Sequence, residues 1–268
     1  MRLEGKVAIV TGAGQGIGEA AARRMAAEGA KVVVSDLNEA TGMAVAASIR
    51  DAGGEAQFVA CDVSDRDSVK ALIAATEKHY GRLDVLHNNA GVHETNFTDR
   101  AKSDELDEEV WDRVIGINLK GTWMCSKYAA PLLARSGGGS IVNAASIGGL
   151  IGYPMGGAYG PSKAGVVQLT RVMAIELAPN GTRVNCYAPG NTDTPMVQKY
   201  YSSAPPEQAA IVQQVLLGSH LIPRLARPEE IANVILFLAS DESSAMTGSC
   251  VVVDNGTLAW RGIREGDS

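Results

Sequence analysis

The sequence predicts a single α/β domain, a doubly wound parallel sheet of roughly seven strands flanked by helices. Three observations predict it. Short runs rich in Val, Ile and Ala recur along the chain and are apolar throughout, as strands buried on both faces are. Nearly every run is followed by a stretch with apolar residues at helical spacing, the rhythm of a parallel sheet with crossover helices. The chain has 268 residues, 46% hydrophobic and 20% charged, enough for one large α/β domain with a substantial core and too apolar for disorder.

The elements follow in order. KVAIVTG (6–12) is the first strand, and IGEAAARRMAAEGA (17–30) is a helix with Gly29 as its stop. KVVVSD (31–36) is the second strand, 39–53 a helix, AQFVACDV (56–63) the third strand, 65–80 a helix, and LDVLHNNAG (83–91) the fourth strand. A long helix is expected over 108–135, then the strand GSIVNAAS (139–146), a helix over about 157–178, the strand TRVNCYAPG (182–190), a helix near 228–239 and the final strand SCVVVD (249–254). Two stretches break the rhythm. Residues 94–107 are polar and read as a surface loop. Residues 191–227 hold Pro195, Pro205, Pro206 and Pro223 around a short helical pattern, PEQAAIVQQVL (206–216). An insertion of that length in a compact domain is often a lid or a binding segment. The tail, about 258–268, carries Trp260 beyond the last strand; it either covers a neighbouring subunit or frays.

A net charge of −6 argues against a nucleic-acid or anionic-membrane partner. Cys61, Cys125, Cys186 and Cys250 form no CxxC pair and read as small buried hydrophobes in a reducing compartment, with no metal site. The N-terminus has charges at Arg2, Glu4 and Lys6 before a short apolar run, too short for a signal or membrane span, so a cytoplasmic protein is expected.

Three features carry chemistry. TGAGQGIG joins the first strand to the first helix with Gly12, Gly14, Gly16 and Gly18. Such a loop lets backbone approach a pyrophosphate at a helix N-terminus. Its spacing is TGxxxGxG, not GxGxxG, and a plain glycine-rich turn is the alternative. Asp36 ends the second strand, eighteen residues beyond Gly18. An acid there can accept from both adenosine ribose hydroxyls and repels a 2′-phosphate, which favours NAD over NADP; the alternative is a helix cap. Neither Gln15 nor Leu37 is basic, as NADP binding would require. Finally, Tyr159 and Lys163 in YGPSK lie four apart, on one helix face. A phenol ordinarily ionises near about pH 10, and a neighbouring cation lowers that value. The spacing alone does not separate a catalytic pair from a chance one.

Taken in order, the motifs resemble the short-chain dehydrogenase/reductase family over nearly the whole chain: TGxxxGxG at Thr11 to Gly18, Asp62-Val63, NNAG at Asn88 to Gly91, Asn118 in GINLKG, Ser146 in IVNAASIGG, Tyr159 and Lys163 in YGPSK, and PGNTDTPM from Pro189. The resemblance implies a Rossmann-type fold and an NAD-dependent alcohol dehydrogenase or ketone reductase. It implies Tyr159 as general acid/base, Lys163 on the nicotinamide ribose, Ser146 on the substrate oxygen, and Asn118 holding a water on a proton path. Cofactor contacts would come from Gly12, Gln15, Gly16, Ile17, Gly18, Asp36, Leu37, Asp62, Val63, Asn89, Ala90, Gly91, Tyr159, Lys163, Pro189, Gly190, Thr192 and Thr194. The substrate pocket would draw on His93, Ser146, Ile147, Gly148, Tyr153, Met155, Tyr159, Asn191, Met196 and the 197–222 segment. A lone histidine such as His93 is also, often, an incidental loop residue. The family is commonly tetrameric, and MTGSCVVVDNG resembles its interface strand.

Departures from the family pattern fall on the substrate side: Asn191 is polar where apolar residues are common, and the 94–107 loop is long. Pro161, inside YGPSK, has no N–H and fits only a first helical turn, so the helix is expected to begin close to Gly157 or be distorted there. The apolar pocket, without an Arg or Lys cluster, fits a mid-sized cyclic or aromatic secondary alcohol better than a phosphorylated sugar. Two other readings remain: a 3-oxoacyl thioester reductase, which usually prefers NADP, and a non-catalytic NAD-sensing protein, which usually lacks the Tyr, the Lys or the glycine loop.

Overall fold

The computed structural model describes residues 1–203, 217 and 220–259. The expected helix at 206–216 and the end of the tail, from Trp260, lie outside the described residues. Seven strands form one all-parallel sheet in the order β3-β2-β1-β4-β5-β6-β7: β1 Val7–Thr11, β2 Lys31–Asp36, β3 Glu55–Ala60, β4 Val85–Asn88, β5 Gly139–Ala144, β6 Thr182–Pro189 and β7 Cys250–Val253. All seven expected strands are present. The chain turns back at the boundary between β1 and β4, which opens a crevice at the carboxyl ends of these strands.

Alternate residues of each strand face opposite layers, so both faces need cover. Ala8 and Val10 of β1 and Val32 and Val34 of β2 pack under α1 (Gly16–Ala27), α2 (Glu39–Asp51) and the helix Pro228–Ala239. Val7 and Ile9 with Val33 pack under α3 (Arg66–Tyr80), the helical run 108–135 and the helix from Tyr159. Asn38 caps α2 by accepting from Thr41 N at 3.3 Å, and Asp65 caps α3 from Ser68 N at 2.7 Å. Gly81, at φ +72°, ends α3 in the left-handed conformation that glycine takes without a Cβ penalty.

The expected helix over 108–135 is one run with an irregular centre: α4 (Glu108–Ile115), a π-helical turn (Gly116–Gly121) and α5 (Thr122–Arg135). Asn118 sits in the π turn, and such turns often mark functional positions. The catalytic-motif helix, α6, spans Tyr159–Leu177. Pro161 therefore lies in its first turn, where a missing N–H leaves no bond unmade, as its chemistry required. A short helix, α7 (Pro195–Ser203), opens the 191–227 segment, and α8 is Pro228–Ala239.

The 94–107 stretch is not wholly a surface loop. Glu94 begins it fully buried, and Ala101 is buried as well. The polar sequence hid this because a buried carboxylate needs only hydrogen-bond donors around it, and the first turn of α6 supplies them. The four cysteines are free thiols, three buried and Cys250 half-buried.

Candidate active site

The glycine loop lies at the crevice between β1 and β4. Gly12 and Gly16 have φ of +61° and +60°, where a side chain is strained. A Cβ on Gly12 would stand 2.8 Å from Ala90 Cα, and one on Gly18 would collide with the Gly12 carbonyl. These bare positions leave a cradle at the N-terminus of α1, where exposed N–H groups and the helix dipole favour an anion. The cradle fits a dinucleotide pyrophosphate. Asn89 holds it shut from below: its Nδ2 donates to the Thr11 and Gly12 carbonyls, both at 3.0 Å, while Asn89 N and Ala90 N donate to Thr11 Oγ1.

Asp36 is not the cap of α2; that is Asn38. Its Oδ2 accepts from Gly14 N and its Oδ1 from Asn38 N, each at 2.8 Å. The carboxylate is thus oriented at the cleft edge, and each oxygen retains acceptor capacity for a ribose hydroxyl. Leu37 beside it is exposed. Asp62 holds Ser64 through its N–H at 2.8 Å and its hydroxyl at 2.6 Å, and Val63 packs against the π turn at Gly121.

One cleft gathers most of the expected cofactor residues: Gly12, Gln15, Gly16, Ile17, Asp36, Leu37, Asp62, Val63, Asn89, Ala90, Gly91, Tyr159, Lys163, Pro189 and Thr194. Gly18, Gly190 and Thr192 are not part of its lining. Gly18 packs behind the loop, Gly190 binds Val253 O through its N–H at 2.9 Å, and Thr192 is buried in a bridge to Ala226. Thr194 reaches over the loop: a Cβ on Gly16 would stand 3.3 Å from its methyl. The cleft also takes in Cys61, Ile117 and Tyr187, which sequence reasoning missed.

Tyr187 belongs to a buried polar chain under the floor. Its hydroxyl donates to Asn89 Oδ1 at 3.5 Å and lies 3.0 Å from His87 Nε2. His87 Nδ1 has no hydrogen-bond partner among the described residues, and burial pushes the His87 pKa down to about 3. The pairing joins strands β4 and β6 across 100 residues of sequence, so only the fold brings it together.

Around Tyr159, the motif residues converge. Lys163 is buried at 4% exposure, its Nζ donating to Ala144 O at 2.7 Å and lying 5.6 Å from the centre of the Tyr159 ring. Burial lowers its pKa to about 8, so it remains a cation at neutral pH. Asn118 is fully buried and committed: Oδ1 accepts from Val92 N at 2.8 Å, and Nδ2 donates to Val92 O at 2.9 Å and Ser162 Oγ at 3.0 Å. Its side chain is therefore a brace between the β4 loop and α6, and its main-chain carbonyl accepts from Thr122 Oγ1 at 2.7 Å.

Ser146 lies two residues past Ala144 and accepts from Gly148 N at 3.1 Å. The turn it caps, Ile147–Gly149, packs on α6 so closely that a Cβ on Gly149 would stand 2.5 Å from the Lys163 carbonyl carbon. On the substrate side, the His93 ring stands 4.9 Å from that of Tyr159, and His93 Nε2 is 3.3 Å from the Tyr153 hydroxyl. His93 thus packs between the Tyr159 and Tyr153 rings. Gly148 and Gly156 flank the Tyr153 ring, and Met155 is held at φ +63° beside it. Met196 lines the cofactor cleft instead of a separate pocket, and Asn191 O accepts from Ala226 N at 3.1 Å.

A doubly wound sheet with an anion cradle at its reversal point and a Tyr/Lys pair beside it defines a dinucleotide-dependent oxidoreductase. Residues 12–257 match the family profile described as "Enoyl-(Acyl carrier protein) reductase". The chain is 44% identical over 254 residues to a cis-4-hydroxycyclohexanecarboxylate dehydrogenase of Sinomonas cyclohexanicum, covering 95% of this chain and 97% of that one. It is 40% identical over 258 residues to the 3-oxoacyl-[acyl-carrier-protein] reductase FabG of Thermotoga maritima, covering 96% and 100%. The crystal structure of gox2181 superposes with a TM-score of 0.90 at 32% identity, covering 97% of this chain and 98% of that one. The chain belongs to the short-chain dehydrogenase/reductase family, whose members use nicotinamide cofactors.

Proposed function

We propose that the protein is an NAD-dependent dehydrogenase that interconverts a secondary alcohol and its ketone on a mid-sized, mostly apolar or cyclic substrate. The observation that carries this reading is the buried Lys163 ammonium, fixed on Ala144 O and 5.6 Å from the Tyr159 ring at the mouth of the glycine cradle. When bound, the nicotinamide supplies the hydride acceptor or donor. The chain's own residues handle the proton. Tyr159 takes it from the substrate hydroxyl in oxidation and returns it to the carbonyl oxygen in reduction. The adjacent Lys163 charge favours the phenolate that this requires. Ser146 hydrogen-bonds the same substrate oxygen as charge develops on it. Asn118 keeps Lys163 and the β4 loop in register.

The preference for NAD rests on Asp36, whose oriented carboxylate repels a 2′-phosphate, with exposed Leu37 offering no countercharge. The substrate class rests on Tyr153 against His93, on Met155 two residues along the chain from Tyr153, and on the 44% identical cis-4-hydroxycyclohexanecarboxylate dehydrogenase. A second reading, reduction of a 3-oxoacyl thioester, has the FabG relative in its favour. The reading extends to a cytoplasmic homotetramer, supported by free thiols and by exposed Val172, Ile175 and Val252 on α6 and β7. No helix among the described residues is long and apolar enough to cross a membrane.

Oxidation of cyclic, aromatic, steroid and sugar alcohols with NAD or NADP, followed by reduced-nicotinamide absorbance, tests the proposal beside reduction of a 3-oxoacyl thioester. Cyclic or aromatic secondary alcohols should turn over with NAD. Tyr159→Phe should lose about a hundredfold or more in kcat while still binding NADH. Turnover confined to polyols or to the thioester would overturn the substrate assignment.

A further inference from the structure

Glu94 is a buried acid that the proposed chemistry does not use. Its carboxylate is fully buried, yet it faces the start of α6. Oε1 accepts from Ala158 N at 3.0 Å, and Oε2 accepts from Tyr159 N at 3.2 Å. These N–H groups belong to the first turn of a helix, which has no intrahelical acceptors for them. The residue at the cap position, Ala158, has no side-chain oxygen to offer. The helix that carries Tyr159 and Lys163 is therefore capped by a residue 64 positions upstream. Oε2 also stands 3.4 Å from His93 Nδ1, and the His93 ring lies beside that of Tyr159.

We infer that Glu94 is a positioning residue: it fixes the first turn of α6 and so sets the Tyr159 phenol against Lys163 and the His93–Tyr153 wall. Glu94 follows Gly91 by three residues, so the cap also fastens the catalytic helix to the floor of the cofactor cleft. The inference rests on the proposal that Tyr159 is the acid/base. Reach matters here more than charge. A glutamine keeps the same reach and can turn its oxygen to the two N–H groups. An aspartate keeps the charge but is one methylene short.

The test compares Glu94→Gln, Glu94→Asp and Glu94→Ala in the full-length enzyme. Three quantities are measured: kcat and KM on the best alcohol, NADH affinity by fluorescence, and backbone amide exchange of residues 156–161 by mass spectrometry. Glu94→Gln should keep kcat within about threefold of the parent. Glu94→Asp and Glu94→Ala should each lose about tenfold or more in kcat, the cost of a misplaced catalytic group, with NADH affinity unchanged and faster exchange at 156–161. A Glu94→Asp enzyme as active as the parent, or a kcat loss matched by lost NADH affinity, would overturn the inference. Should Glu94→Ala fail to fold, the Gln and Asp pair decides the question. Amide exchange needs no turnover, so an enzyme inactive on every alcohol would refute the proposed reaction while this contrast still judged the cap.

Discussion

His87 carries no role in the proposed chemistry, but it limits how this protein meets acid. In the unfolded chain a histidine titrates near pH 6.5, and in the fold burial holds His87 neutral down to about 3. Between these values the unfolded chain binds a proton that the folded chain refuses. The stability is fully present above about pH 6.5 and is lost as pH falls towards 3. From pH 7 to pH 5 this single group removes about 2 kcal/mol. Urea unfolding at both pH values should show the parent losing about that much more than a His87→Gln variant, whose amide can still reach the Tyr187 hydroxyl. An equal loss in both would show that His87 is not the acid-sensitive group. His93 adds to the same trend: burial lowers its pKa, partly offset by the carboxylate of Glu94.

At the scale of elements, the site is made where helix starts meet strand ends. The start of α1 touches the β1 carboxyl end so closely that Gly18 has no room for a methyl group against the Gly12 carbonyl and the Asn89 amide. Gly18→Ala should cost about 1–3 kcal/mol by overpacking and weaken NADH binding as the cradle deforms. Urea unfolding and NADH titration check both, and an unchanged affinity would mean that the cradle tolerates the shift. The start of α6 shows the limit of sequence reasoning. Pro161 announced where the helix must begin, because its ring and missing N–H leave few options. Glu94, which caps the same turn, lay hidden in a polar run, because the donors that bury it come from residues 158 and 159. The π turn at Gly116–Gly121 was hidden too, since it is a single turn set inside a long helical run and is distinguished by its backbone hydrogen bonds.

For the whole molecule, all seven strands and their order of helices were legible, because strands buried on both faces must read as unbroken apolar runs. The glycine loop was legible for a similar reason: bare glycine at positive φ is a direct demand of backbone geometry. The Tyr187–His87 pair and the Asn118 brace needed the fold, since their partners lie 100 and 26 residues away. A ligand that binds only the folded form raises the stability of the entire domain. NAD at about a hundredfold over its Kd should therefore add about 2.7 kcal/mol, read as a rise in Tm, and the same concentration of NADP should add clearly less. Equal shifts would remove the case for NAD preference.

The two hydrogen bonds that Asp36 accepts, from Gly14 N and Asn38 N, bear on how this enzyme could be redesigned. Replacing Asp36 with a neutral or basic residue to admit a 2′-phosphate would also unlatch the glycine loop, since Gly14 N would lose its acceptor. On the proposed NAD reading, one side chain therefore bears on both cofactor preference and loop geometry, and its replacement should weaken binding of both dinucleotides. Leu37 bears no such duty: its side chain is exposed beside the same cleft, so a basic residue there adds countercharge and leaves the latch in place. On the proposed NAD reading, Leu37→Arg should tighten NADP binding with less loss of NAD affinity than a substitution of Asp36, as measured by fluorescence titration with both dinucleotides.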